Sequence, residues 1–96
     1  MKVLVSSGGA FILKEEYWKE FYERDWDVDH MRTDEKLIHL AESGVELGNA
    51  DCTIRVVELP DDISDYTFEM NAAGSEYVIF VQNGKIHYAG WEDDYE

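Results

Sequence analysis

The sequence predicts an α+β domain: two helices packed on one face of a mainly antiparallel sheet of four or five strands, in the order βααββββ. Three observations predict it. The chain opens on a continuous apolar triplet, Val3-Leu4-Val5; two segments of helical periodicity follow; and the second half alternates β-branched and aromatic residues around an Asn-Gly pair.

Lys2 to Ser6 reads as a buried strand, because Val3, Leu4 and Val5 are continuous and apolar. Ser6-Ser7-Gly8-Gly9 ends it, since paired glycines favour turn conformations. From Lys14 to about Arg24 the pattern is helical: Tyr17, Trp18, Phe21 and Tyr22 form one aromatic stripe, and Glu15, Glu16, Lys19, Glu20 and Glu23 take the other side. A polar stretch, 25–32, separates this helix from the next. Thr33 or Asp34 can cap the second helix, Leu37, Ile38, Leu40 and Ala41 supply its apolar face, and Gly44 stops it. Thr53 to Leu59 is a β-branched strand that ends at Pro60, the single proline. Tyr66–Met70, Glu76–Val81 and Ile86–Ala89 are the remaining strands, the last two joined by Gln82-Asn83-Gly84-Lys85, a type I′ hairpin signal. Residues 1–91 are expected to form one domain and 92–96 an acidic tail that frays.

Charge narrows the function. In 96 residues, 22 Asp and Glu face 8 Lys and Arg, a formal charge of -14. A free-standing nucleic-acid binder needs a basic face to displace counterions, and docking on anionic lipid needs one too, so both are excluded. The 45% hydrophobic and 14% aromatic content excludes disorder. Self-repulsion weakens so small a domain, and salt or a homo-oligomer interface is expected to help it. No apolar run approaches a membrane span, and the apolar start is too short for a secretory signal. Cys52 is alone, so the expected home is a reducing cytoplasm.

Most chemical motifs fail on inspection. Asp25, Asp27 and Asp29 have the 1, 3, 5 spacing of a calcium loop, but His30 stands where glycine is needed and Lys36 where a bidentate carboxylate is needed. His30, His39 and His87 share no short ligand spacing, and half-buried placements are expected for the last two. No acid, base and nucleophile converge, so neither an enzyme nor a resident cofactor or metal is expected. Two features survive. The first is Ser7-Gly8-Gly9 after a strand, whose backbone N–H groups could hold an anion, with Lys14 and Arg32 as the cations nearby. Phe11 or Trp26 could stack on a base there. The second is an acidic face comprising Glu16, Glu20, Glu23, Asp25, Asp27 and Asp29, able to imitate duplex phosphates before a basic protein or simply to keep the chain solvated.

Segments 2–13, Arg32 to Ile38, Val56 to Asp62 and Gly74 to Val78 occur in the order in which small proteins of tailed bacteriophages carry a Gly-Gly-Phe loop, an Arg-x-Asp-Pro-x-Leu-Ile helix start, a Val-Glu-Ile-Pro-Asp-Asp strand end and a Glu-x-Val strand. The chain resembles that family over most of its length. It departs from it at Ala10, which precedes Phe11, at Glu35, where proline is usual, and in its ending, Lys85-Ile86-His87-Tyr88 and Trp91. The resemblance implies action in the cytoplasm of an infected bacterium and brings no mechanism with it. The leading expectation is therefore a non-enzymatic accessory protein that counters a host defence by sequestering a small phosphate-containing nucleotide signal. The alternative is an acidic, DNA-mimic-like inhibitor of a basic host or defence protein; a structural accessory role is the third reading.

Overall fold

The computed structural model describes residues 1–23, 28–50 and 52–91, without the side chains of Phe21, Tyr22, Val28 and Asp29. Within them the order is β1 (Lys2–Ser7), α1 (Glu15–Glu23), α2 (Val28–Thr33), α3 (Glu35–Glu42), β2 (Thr53–Glu58), β3 (Asp65–Met70), β4 (Glu76–Gln82) and β5 (Lys85–Ala89). The fold is α+β, and its arrangement corrects the expected one. The described residues hold three helices, and the strands divide into two antiparallel sheets, β1-β2 and β3-β4-β5.

The division follows from β1. Its residues Val3 to Ser6 are all buried, so both faces of the β1-β2 ribbon are covered. On one side Leu4 and Ile54 join Leu13, Met31, Leu37, Ile38, Leu47 and Cys52, with Phe11, Tyr17 and Trp18 packed against them. On the other, Val3, Val5, Val57 and Leu59 meet Val78 and Phe80 of the second sheet. The molecule thus has three layers: helices, a two-stranded ribbon, and a three-stranded sheet. An uninterrupted apolar strand is what a middle layer requires, because side chains that alternate in direction must find apolar neighbours both ways.

The unexpected helix is α2. Six residues make less than two turns, too short to hold in isolation, so its stability comes from burying Met31 and Arg32. Asp34 then caps α3 as expected, its carboxylate accepting the Leu37 N–H at 2.9 Å, and Gly44 follows the helix with φ 91°. Leu37 and Ile38 face the core. The hairpin between β4 and β5 has φ of 55° at Asn83 and 75° at Gly84, positive at both central positions as a type I′ turn demands. Asp25 and Asp27 of the calcium spacing, Trp26, and the tail beyond Trp91 lie outside the described residues. Among the described residues no helix is long and apolar enough to cross a membrane.

Gly90 shows how closely β5 is held to the ribbon. Its φ is 75°, and a Cβ there would lie 2.6 Å from Val57 Cγ2. Gly84 shares the positive φ but faces open space. Gly84→Ala should therefore cost about 1–2 kcal/mol of backbone strain. Gly90→Ala should cost about 2–4 kcal/mol, since overpacking against Val57 adds to that strain. Urea unfolding of the two variants checks the order; equal losses would mean that Val57 yields freely.

Candidate functional site

Arg32 and Glu76 form the most constrained polar site among the described residues. They come from different layers, Arg32 from α2 and Glu76 from the first residue of β4, and they are only 7% and 8% exposed. The guanidinium meets the carboxylate bidentately, with Nη2 donating to Oε2 at 2.7 Å and Nη1 to Oε1 at 3.0 Å. Nη1 also donates to the Leu4 carbonyl at 3.1 Å, and the Ser6 N–H donates to Glu76 Oε1 at 2.8 Å. Phe11 and Phe68 cover the guanidinium, with ring centroids 4.2 and 4.1 Å from its central carbon. Aromatic faces carry negative potential, so these rings favour the cation while keeping water from it.

The charges on this pair follow from its contacts. Burial opposes ionisation of Glu76 more than any other single influence. Hydrogen bonds from Arg32 and from the Ser6 backbone, together with the Arg32 charge, outweigh it and hold the carboxyl below its ordinary 4.5. No buried side-chain nitrogen or oxygen among the described residues lacks a hydrogen-bond partner.

A second arginine closes the same corner. Arg55 of β2 donates from Nε to Ser7 Oγ at 2.8 Å, and from Nη2 to the carbonyls of Glu76 at 2.7 Å and Gly90 at 2.6 Å. Glu76 and Arg55 were not singled out from the sequence. The one signal that could have flagged Glu76 is its place at the start of the most apolar strand, where a carboxylate needs a cation.

The residues of the expected anion loop are brought together only in part. Ser7 ends β1 and its hydroxyl accepts from Arg55. Gly8 is exposed with φ 84°, and the Gly9 carbonyl accepts from Ser6 Oγ at 2.6 Å. Gly74 lies beside this loop; a Cβ on it would be 4.0 Å from the Gly8 carbonyl carbon. Phe11 packs its ring on the Arg32 guanidinium. Lys14 is exposed, and its backbone anchors the loop, donating to the Leu47 carbonyl at 2.9 Å and accepting from the Tyr17 and Trp18 N–H groups. Arg32, the cation around which that reading was built, is the interior partner of Glu76.

The acidic face fares differently. Glu16, Glu20 and Glu23 are exposed on α1, with Tyr17 and Trp18 turned to the core. Asp29 belongs to α2, and Asp25 and Asp27 are outside the described residues. His30, His39 and His87 are all exposed, which corrects the half-buried placement expected for the last two. An open cleft between the start of β1 and α3 is lined by Lys2, Thr33, Glu35, Ile38, His39 and Glu42, and none of the expected ligand residues enters it. Cys52 is buried, its thiol donating to the Ile12 carbonyl at 3.3 Å. Among the described residues no group of three or more His, Cys, Asp or Glu is placed to hold a metal. Comparison with family models, with curated proteins and with solved structures gives no match.

Arg32→Met should cost about 3–5 kcal/mol, because it leaves the Glu76 carboxylate buried without its cation. Arg32→Met combined with Glu76→Leu should lose markedly less than the sum of the two single changes. Glu76 is depressed in the folded state, so its contribution is complete above the unfolded value near 4.5 and is lost as pH falls through the folded one. The stability gap between wild type and Glu76→Gln should accordingly be constant near neutral pH and narrow in acid. A gap that widens below pH 4.5 would contradict the ion pair.

Proposed function

We propose that this chain is a binding protein whose acidic α1 face docks on a basic protein surface of the kind that otherwise holds duplex phosphates, and so blocks it. One observation carries the reading: α1 exposes Glu15, Glu16, Glu20 and Glu23 against one lysine, Lys19, while Arg32 is buried and Arg55 half-buried. Glu16, Glu20 and Glu23 lie on one stripe of α1, spanning about 10 Å at the helical rise. Two of the 8 cations, Arg32 and Arg55, are committed to interior carboxylate, hydroxyl and carbonyl groups. The surface is therefore shorter of cations than the composition implies, and its field attracts a basic partner.

What favours this over sequestering a nucleotide is the chemistry of Arg32. A phosphate at Gly8 and Gly9 would compete with Glu76 for a guanidinium that is already bidentately bound, buried and covered by two rings. Of the two cations expected to serve that loop, Lys14 alone would then remain for the phosphates of a ligand, in a strongly negative field. The resemblance to small tailed-phage proteins supplies the setting, in which the basic partner is a host or defence protein of an infected bacterium.

A displacement assay tests the proposal, with labelled duplex DNA held by a basic, DNA-binding bacterial protein as the probe. The chain should release the DNA at low salt, and release should weaken steeply as salt is raised, since exposed charges are screened. Reversing Glu16, Glu20 and Glu23 together to lysine should abolish release while the circular dichroism spectrum is kept. Undiminished release by that triple variant would sink the reading. A parallel thermal-shift series with cyclic and ADP-ribose-type nucleotides should be silent; stabilisation growing as RT ln(1 + [L]/Kd) would instead support sequestration.

A further inference from the structure

The outer face of the second sheet is graded from acid to apolar. At its β3 margin stand Asp65, Thr67 and Glu69, paired in register with Val81, Ile79 and Tyr77 of β4. At its β5 margin stand Ile86 and Tyr88, opposite Val81 and Ile79. Ile86 is 64% exposed and Tyr88 62%. Trp91, 54% exposed, packs on Tyr77 at a centroid distance of 4.6 Å, and Tyr77 meets Tyr88 at 6.0 Å. From Tyr77 to Trp91 the sequence contains no Asp or Glu, in a chain with 22 of them. Among the described residues β5 is hydrogen-bonded on one side only, to β4.

The register says which backbone groups that open edge presents. A two-residue type I′ turn closes on a hydrogen-bonded pair, here Gln82 and Lys85. Bonding then alternates along the ladder, so Lys85, His87 and Ala89 exchange bonds with β4, while the N–H and C=O of Ile86 and Tyr88 point to the free edge. An antiparallel copy of the same strand fits these groups with two-fold symmetry about His87. Ile86 pairs with the partner's Tyr88 and Tyr88 with the partner's Ile86, each pair exchanging two bonds, and the two His87 residues face each other across a non-bonded pair.

We infer that the chain forms a two-fold dimer through β5, its edge pairing with the same edge of a second copy to make one continuous six-stranded sheet. Charge selects this edge. Two copies each carrying -14 repel wherever carboxylates meet, and the β3 edge brings Asp65 and Glu69 to the seam. The β5 edge brings Ile86, Tyr88 and Lys85, so burial of apolar area and main-chain bonding meet no carboxylate on that strand. Pairing also sets Ile86 beside the partner's Tyr88 on the outer face, extending the exposed aromatic patch across the seam. The four acids of the tail follow Trp91 directly, and with the rest of the net charge they make association stronger, not weaker, when salt is added.

Sedimentation equilibrium of the full chain tests this. A dimer should form and tighten by about tenfold between low and high salt, as the repulsion is screened. This sign is opposite to that expected for docking α1 on a basic protein, so either proposal can fail without the other. Ile86→Pro removes an outward N–H and no ladder bond to β4, and should give a monomer with an unchanged circular dichroism spectrum. Tyr88→Glu, which leaves the backbone intact and places a carboxylate at the seam, should also give a monomer. Under mild oxidation His87→Cys should cross-link two chains through residue 87, because residues of a facing non-bonded pair lie about 4.5 Å apart, within disulfide reach. A chain that stays monomeric at high salt and high concentration overturns the inference. So does a dimer that survives both Ile86→Pro and Tyr88→Glu.

Discussion

The structure turns on the buried pair between Arg32 and Glu76. Among the described residues the two sheets share no backbone ladder, and side chains join the outer sheet to the rest: Val3, Val5, Val57 and Leu59 of the ribbon and its edge against Val78 and Phe80, Arg55 from β2 and Arg32 from α2. Apolar contact is non-directional and would tolerate sliding or rotation of one layer over another. A bidentate ion pair is not so permissive, since its two parallel bonds fix both distance and angle. By reaching from α2 to β4, and bonding Leu4 and Ser6 of β1 on the way, the pair sets the relation of all three layers.

Such a pair is costly to bury, and its surroundings offset that cost. The carboxylate takes the Ser6 N–H as well as the guanidinium, and the guanidinium takes a carbonyl and two aromatic faces. Its net worth relative to an apolar replacement is small in general, whereas its worth as a device of registry is direct, because neither charge can tolerate a different neighbour. The same economy explains the surface. Arg32 is inside and Arg55 half-buried, so two of the 8 cations are not available to the surface carboxylates. Among the described residues the large apolar side chains most exposed to solvent are Ile86, Tyr88 and Trp91, on β5 and just after it.

The legible parts of this chain were those decided by neighbours in sequence. The run Val3-Leu4-Val5, the aromatic stripe through Tyr17 and Trp18, the Asp34 cap, and the Asn83-Gly84 turn each depend on local periodicity or on one backbone conformation, and all are where the residues imply. Less legible was α2, because six residues carry too little helical pattern to be read; its formation rests on Met31 and Arg32 finding a core. The internal partner of Arg32 was not legible for a related reason. Arg32 is conspicuous in an acidic sequence, but a scarce cation is conspicuous whether it awaits a ligand or already has an internal one.

By itself the sequence determined an acidic α+β chain, all but one of its strand and helix segments, and the cap and turn chemistry between them. Those properties follow from composition and from interactions spanning a few residues. Only the tertiary structure decided that the strands divide into two sheets, that Arg32 belongs to a glutamate 44 residues away, and that Ile86 and Tyr88 stand on an open edge. Each of these depends on which distant segments share a layer, and nothing local in the chain encodes that choice.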